Sequence, residues 1–207
     1  MTDRDLVRLY WPVELRPAFD ALFGIDDALA EVVTSSTQPA LGAIRLAWWR
    51  EALERLDKRP PPPEPRLQAL AAHLIPLGIS GKALAAIEDG WAALLDEAPD
   101  RVRVAKRGSL LFELAAKILG GSDTQLARAG RLFTESQLAR MRLLNPEISI
   151  DDVQGLKGHR FGRSLRPITA FARLAARDAK QFPAIEQEAT PARAVALLSH
   201  RLFGTVA

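Results

Sequence analysis

The segment from Leu41 to Leu56, LGAIRLAWWREALERL, is the feature that most constrains the fold of this 207-residue chain. At 100° per residue, its apolar side chains fill a broad arc instead of a narrow stripe. A helix with so wide an apolar arc is enclosed by neighbours on most sides. Arg45 falls near the middle of the arc, so its guanidinium must meet a carboxylate, a wet cavity or an indole face. The segment therefore predicts a polar pocket inside a set of helices.

The rest of the chain consists of helix-forming stretches separated by helix-ending signals, without the apolar and polar alternation of a strand. We expect an all-α, single-domain helical bundle that spans residues 1–207. Besides 41–56, the predicted helices are 3–10, 12–33, 67–77, 80–95, 103–119, 122–144, 164–180 and 190–202, with Ser80 and Ser122 as N-caps and Asn145 and Pro146 as an end signal. The run RPPPPEP from Arg59 to Pro65 predicts an extended connection. Gly155, Gly158 and Gly162 predict a mobile loop.

Composition excludes several classes of protein. The chain contains no cysteine, which removes disulfides, thiolate metal sites and cysteine nucleophiles. Its start does not resemble a signal sequence, and no apolar run reaches the ~20 residues that cross a bilayer. We therefore expect a cytoplasmic protein whose contact with a membrane is at most peripheral.

Charge is distributed unevenly along the sequence. Residues 1–100 have a net charge of −6, whereas residues 101–207 have a net charge of +9. The densest basic segment, Lys157 to Lys180, holds seven Lys/Arg and a single acidic residue, Asp178. It predicts either a solvated face or an interaction surface for a protein partner or an anionic membrane. Nucleic acid is the weakest partner, because no recognised motif accompanies the charge.

Polar residues on three predicted helices point toward the apolar side. Asp26 lies opposite the polar face of its helix, and a cation must compensate its burial; Arg45 on the adjacent helix is the candidate. Gln137 and Arg140 lie among apolar residues of the helix 122–144. These four residues predict either a satisfied buried network or a ligand pocket. Trp48 and Trp49, on the same helix as Arg45, predict either core packing or the lining of an apolar cavity.

Other chemical sites have little support in the sequence. Asp27 and Glu31, four residues apart, are weak candidates for a divalent cation, although such a pair on a solvated face is usually inert. His73, His159 and His200 lack the spacing of a metal site or a catalytic triad. The segment GLKGHRFGR is basic without a phosphate-binding fingerprint.

Four stretches of the sequence resemble the squalene/phytoene synthase family. YWPVELRPAFDALFGIDDALAEVV and LGAIRLAWWREAL resemble its N-terminal part, and RGSLLFELAAKILG and AGRLFTESQLAR resemble later helices in the same order, over residues 3–144. The resemblance implies an isoprenoid synthase-like fold. It also implies a cavity in which catalytic members join two prenyl diphosphates, using Mg²⁺ held by two aspartate-rich motifs.

Both of these motifs differ in this sequence. Aligned with the first motif, Ala30 and Glu31 take the places of its leading aspartates, and Thr34 or Ser35 that of its last. In the second motif, Gln137 takes the place of an asparagine and Arg140 that of an arginine, while Met141 and the following LLNP replace the aspartates. Mg²⁺ requires clustered oxygen ligands to neutralise a diphosphate. The chain is also shortened relative to catalytic members after Leu144.

These departures favour a catalytically inactive protein that needs no metal cofactor. Non-catalytic members of the family include proteins similar to the mitochondrial complex I assembly factor, which implies a binding or assembly role. We expect a remnant cavity with affinity for a prenyl-like ligand, lined by Phe23, Phe133 and the two tryptophans, with Arg45 and Arg140 for an anionic head. The alternative is an active, Mg²⁺-dependent head-to-head prenyl diphosphate transferase of isoprenoid biosynthesis.

Overall fold

The computed structural model describes residues 1–143 and 149–207, and all regular elements of these residues are helices. The α-helices in the described ranges are α1 (Asp3–Arg8), α2 (Arg16–Ser35), α3 (Pro39–Arg55), α4 (Pro65–His73), α5 (Gly81–Ala85), α6 (Glu88–Ala92), α7 (Arg101–Ile118), α8 (Leu126–Met141), α9 (Ile150–Gly155), α10 (Arg166–Gln181) and α11 (Pro191–Phe203). Short 3-10 helices lie at Val13–Leu15, Ile75–Leu77, Ala93–Leu95 and Arg163–Leu165. The all-α prediction is confirmed, and the helices share one extensive core.

Local sequence signals set many of the helix ends. The Ser80 hydroxyl accepts a hydrogen bond from the Ala83 amide, as an N-cap should. Pro39 and Pro65 open α3 and α4, where the missing amide hydrogen is not needed. The proline-rich stretch predicted to be extended, 59–65, lies outside the helices except for its last residue, which is the first residue of α4. Several helix ends of this fold can therefore be predicted from single residues.

Several boundaries differ from the sequence prediction; for example, the predicted helix 67–77 is α4 followed by the 3-10 turn Ile75–Leu77. The predicted helix 80–95 is divided into α5, α6 and a 3-10 turn, and α9 forms where no helix was predicted. Ser122 does not cap α8, which begins at Leu126. In the turn before α8, the Asp123 carboxylate accepts a hydrogen bond from the Gln125 amide. The same carboxylate contacts His159 Nε2 at 2.9 Å. The predicted end of that helix at Leu144, Asn145 and Pro146 lies outside the described residues.

Close packing of backbones positions the helices that carry the polar interior. Hydrogen-bond and glycine contacts show α7 and α8 side by side and antiparallel, meeting at Gly108 and Gly130. A β-carbon added at Gly108 would lie 2.0 Å from the Gly130 carbonyl oxygen. The short helix α5 approaches α3 in the same way, since a β-carbon at Gly81 would lie 2.0 Å from the Leu53 carbonyl oxygen. Only glycine permits these approaches.

The basic segment 157–180 is divided between core and surface. Its helix α10 buries Ile168, Phe171 and Ala175, so the apolar stripe belongs to the bundle core. Arg166 and Arg173 donate to backbone carbonyls of the last residues of the chain, and Arg177 pairs with Glu186. The other cations of the segment are exposed: Lys157, Arg160, Arg163 and Lys180. No helix in the described ranges is both long and apolar enough to cross a bilayer.

Candidate functional site

Four helices contribute one buried polar cluster, which we call the Asp26 cluster. Arg107 Nη1 donates to Asp26 Oδ1 at 2.6 Å, and both side chains are fully buried. Trp91 Nε1 donates to the same oxygen at 2.8 Å, and the Arg107 guanidinium lies over the Trp91 ring. Arg107 Nη2 donates to Gln137 Oε1 at 2.6 Å. A buried carboxylate is thus neutralised by a buried guanidinium, which also contacts the Trp91 ring and Gln137.

A second buried cluster, the Asp178 cluster, joins the two ends of the chain. Asp178 accepts from Arg140 through both oxygens, at 2.7 and 2.9 Å, and from Arg193 Nη1 at 2.6 Å. Arg193 also donates to Asp3 in α1, and Ser136 donates to Asp178. Burial acts to lower the pKa of Arg193, but its bonds to Asp3 and Asp178 outweigh burial and raise that pKa. Arg193 is therefore a permanent cation that fixes α1, α10 and α11 to one another.

The space between the two clusters is small. A cavity of about 100 Å³ is lined by Gln137 and Arg140 together with Phe133, Asp178 and Arg193. Sites for small-molecule ligands usually have about 300–1,000 Å³. Three arginines line it, and each already binds a carboxylate: Arg4 binds Asp27, Arg140 binds Asp178 and Arg193 binds Asp3. Among its described lining residues, the cavity therefore holds no cation free for an anionic head. The arrangement fits a structural network better than a ligand site.

The prediction that Arg45 is buried beside Asp26 is wrong. Arg45 is exposed, and its one hydrogen bond in the described chain is a 3.3 Å contact to the Ser35 hydroxyl. Helix α3 turns Leu46, Trp49 and Leu53 into the bundle. At 100° per residue, Arg45 lies about 40° from Trp49 and about 100° from Leu46, at the edge of this buried face. The cation that compensates Asp26 is Arg107, on α7. The burial of Asp26 itself is as predicted.

The aromatic residues expected to line a cavity pack together or face solvent. Phe23 lies 5.0 Å and Phe133 5.1 Å from Phe171, between ring centroids, so these rings fill the interior. Trp49 is buried in the core. Trp48 contacts the Trp49 ring edge-on and is 49% exposed. The structure therefore places Trp48 and Arg45 outside any internal cavity of the described chain.

The weak metal candidates are held in ion pairs. Both Asp27 oxygens accept from Arg4, with a distance of 2.8 Å for Arg4 Nη2. Arg66 Nη2 donates to both Glu31 oxygens at 2.9 Å. Three or more acidic or histidine side chains able to share a metal do not occur together in residues 1–143 and 149–207. A cation at Asp27 or Glu31 would have to displace an arginine.

Five members of the buried clusters were not predicted from the sequence: Asp3, Trp91, Arg107, Ser136 and Arg193. For Arg107 a signal was present, because it follows Val104 by three residues and precedes Leu111 by four on the apolar face of its helix. That is the argument applied to Gln137 and Arg140. Asp178 was noted as the lone acid of the basic segment, and that rarity also pointed to an internal partner.

The outer face of α3 is apolar and without neighbours in the described chain. Leu41, Ile44 and Trp48 are 53%, 66% and 49% exposed, and they follow one another at i, i+3 and i+7. This spacing puts them on one side of the helix, opposite its buried face. We call these three residues the α3 stripe. The broad apolar arc seen in the sequence therefore consists of two faces, one packed and one exposed.

Comparison with known proteins gives no match to a family model, to a curated protein or to a solved structure.

Proposed function

We propose that this chain is a non-catalytic relative of the squalene/phytoene synthases, with their isoprenoid synthase-like fold, that works in the cytoplasm as a binding or assembly factor. The observation that carries the proposal is the exposed α3 stripe. Apolar patches with no covering element often mark protein interaction sites. In the proposed complex, the α3 stripe is the anchor that inserts into an apolar groove of a partner protein.

The spacing of the α3 stripe supports docking of an intact helix. Anchors at i, i+3 and i+7 are the pattern by which amphipathic helices insert into apolar grooves. Trp48 is the largest of the three, and tryptophan is common among residues that dominate binding energy. The buried face of α3 is meanwhile fixed by Leu46, Trp49 and Leu53. The stripe is thus presented on a rigid helix, which limits the entropy lost on binding.

The buried charges support the non-catalytic part of the proposal. Arg140, which the resemblance aligns with the arginine of the second motif, is bound by Asp178 through two hydrogen bonds. Asp27 and Glu31 are bound by arginines. Prenyl diphosphate chemistry would need cations that are free to receive the diphosphate. In the Asp26 and Asp178 clusters, the arginines are instead paired with carboxylates of the chain itself.

We expect exposed α3 residues to form the contact with the partner inside cells. A photo-crosslinking amino acid in place of Ile44 should give a discrete adduct with a partner protein, and Trp48→Glu in the same chain should abolish it. The matched control places the photo-crosslinking amino acid at Val102 instead. Val102 is 78% exposed on α7 and should give no such adduct. Since positions 44 and 102 are both at the surface, the free energy of unfolding should change by less than about 0.5 kcal/mol.

Three outcomes of this experiment would contradict the proposed docking site. Adducts of equal yield at positions 44 and 102 would show nonspecific contact. An adduct that survives Trp48→Glu would mean that the stripe is not the anchor. An adduct of twice the chain mass would show that the stripe joins two copies of this chain instead of a partner.

The enzyme alternative is tested directly. We expect no C30 or C40 product when the purified protein is incubated with farnesyl or geranylgeranyl diphosphate and Mg²⁺, because the aligned metal positions lack their carboxylates. The same incubation with Asp27→Asn and Glu31→Gln serves as control. Product formation by the original chain that is lost in either variant would establish the prenyltransferase and overturn the non-catalytic proposal.

A further inference from the structure

A second cavity, larger than the central one, lies where α10 and α11 meet the start of the chain. Its volume is about 480 Å³, within the range of small-molecule sites. Apolar side chains form its walls, among them Leu15, Leu119, Pro167 and Leu197. Arg163, Arg166 and Arg201 also line it. We call it the α10–α11 cavity.

The three arginines of this cavity have no carboxylate among the described residues that line it. Arg166 Nη1 donates to the Arg201 and Leu202 carbonyl oxygens at 2.7 and 3.1 Å, which fixes the guanidinium but leaves its charge. The Arg201 guanidinium lies 5.1 Å from the centre of the Tyr10 ring. Arg163 is exposed and forms no ion pair within the described chain. Three cations grouped without an anion favour an anionic ligand.

The histidine in the wall, His200, adds no charge at neutral pH. Its Nδ1 donates to the Thr205 carbonyl oxygen at 2.8 Å, and its Nε2 lies 3.0 Å from the Thr169 hydroxyl, which can donate to it. Burial, with Arg166 and Arg173 nearby, lowers the pKa of His200 to about 4. The neutral imidazole is therefore part of the apolar wall, and the positive charge lies with the arginines.

We propose that the α10–α11 cavity binds a single-chain anionic amphiphile. Its carboxylate or phosphate head lies at Arg163 and Arg201, and its hydrocarbon chain lies along Leu15, Leu119 and Leu197. Charge-assisted bonds from arginine fix the head, while burial of the chain supplies most of the affinity. This site is separate from the α3 stripe and does not depend on the proposed partner protein.

The outer face of α11 borders this cavity and bears on where the ligand comes from. Val195, Leu198 and Leu202 are exposed at i, i+3 and i+7, and Leu202 also lines the cavity. An apolar face beside a cationic opening suits contact with the surface of an anionic bilayer. The same ligand chemistry could arrive free in solution or from a membrane. The two sources are distinguished by the experiment below.

Binding of dodecyl phosphate, below its critical micelle concentration, tests the site by calorimetry. We expect saturable binding that Arg163→Gln weakens about tenfold, the loss of one charge-assisted contact. Arg160→Gln, an exposed cation outside the lining, should change the affinity less than twofold. Inorganic phosphate should bind far more weakly, because it lacks the chain. Equal affinity of the original chain and Arg163→Gln, or of dodecyl and inorganic phosphate, would overturn the proposal.

A second variant tests the interior of the cavity. Ala170→Leu adds volume to its wall and should reduce dodecyl phosphate binding at least tenfold; if that variant fails to fold, the Arg163 and Arg160 variants still decide. Flotation with phosphatidylglycerol vesicles that carry dodecyl phosphate then assigns the source. Flotation of the original chain but not of Ala170→Leu indicates uptake from a bilayer, and flotation of neither indicates a free ligand. Equal flotation and equal dodecyl phosphate affinity of both would overturn the cavity as the binding site.

Discussion

Arg107→Met is expected to lower the free energy of unfolding by about 3–5 kcal/mol, the typical effect of removing one partner of a buried ion pair. The variant leaves the Asp26 carboxylate in the core with only the indole hydrogen of Trp91 as a donor among its described partners. It also removes the cation over the Trp91 ring and the donor to Gln137. Domains of this size are stabilised by only about 5–15 kcal/mol, so the loss should be plain in chemical denaturation.

Two further variants show whether burial of the charge is responsible. Arg8→Met breaks the pair with Asp20, whose side chain is 47% exposed, and should change stability by less than about 1 kcal/mol. The double variant Asp26→Leu, Arg107→Met removes both charges and should recover much of the loss, as apolar replacements of buried pairs often do. A loss below about 1 kcal/mol for Arg107→Met alone would contradict the assignment of Arg107 as the compensating cation.

Gly108→Ala is expected to destabilise the protein by about 3 kcal/mol, at the upper end for overpacking a core. The new methyl group would lie 2.0 Å from the Gly130 carbonyl oxygen and 2.1 Å from the Thr134 hydroxyl. A backbone carbonyl cannot rotate away as the end of a side chain can, so α7 and α8 must separate. The adjacent Arg107 would move with its helix, and the bond to Gln137 on the other helix would lengthen.

Gly24→Ala is the matched control, since Gly24 also lies within a helix. Its added β-carbon would meet nothing within 4 Å, so the higher helix propensity of alanine should stabilise the protein by about 0.5–1 kcal/mol. Opposite signs for the two substitutions in denaturant titrations are the expected result. Equal effects would show that the contact between Gly108 and Gly130 does not limit the approach of α7 and α8.

The two buried clusters explain why polar residues on apolar helix faces need not mark a ligand site. In the Asp26 and Asp178 clusters each carboxylate is met by arginines, and their bonds join α1, α2, α7, α8, α10 and α11. Such networks can specify how helices align, because a shift leaves a buried charge without its partner. We therefore assign the interior of this bundle to stability and place the proposed binding functions on its outer faces.

The sequence by itself determined the helical class, most helix ends and the burial of Asp26. These properties depend on local backbone preferences and on the 3.6-residue period, which act within one segment. The sequence also placed Gln137 and Arg140 toward the interior, and both line the small central cavity. What it could not supply was the partner of each polar group.

Only the tertiary structure decided between Arg45 and Arg107 as the partner of Asp26. Both arginines lie among apolar residues of their helices, but a helix that is apolar nearly all round does not specify which side its neighbours cover. The bundle covers the Trp49 side of α3 and leaves Ile44 and Trp48 in solvent, because α5 and α6 pack on one face only. The helices α7 and α8 approach closely enough at Gly108 and Gly130 to bring Arg107 to Asp26. Choices of this kind depend on contacts between residues distant in the chain, such as the 81 positions that separate this pair.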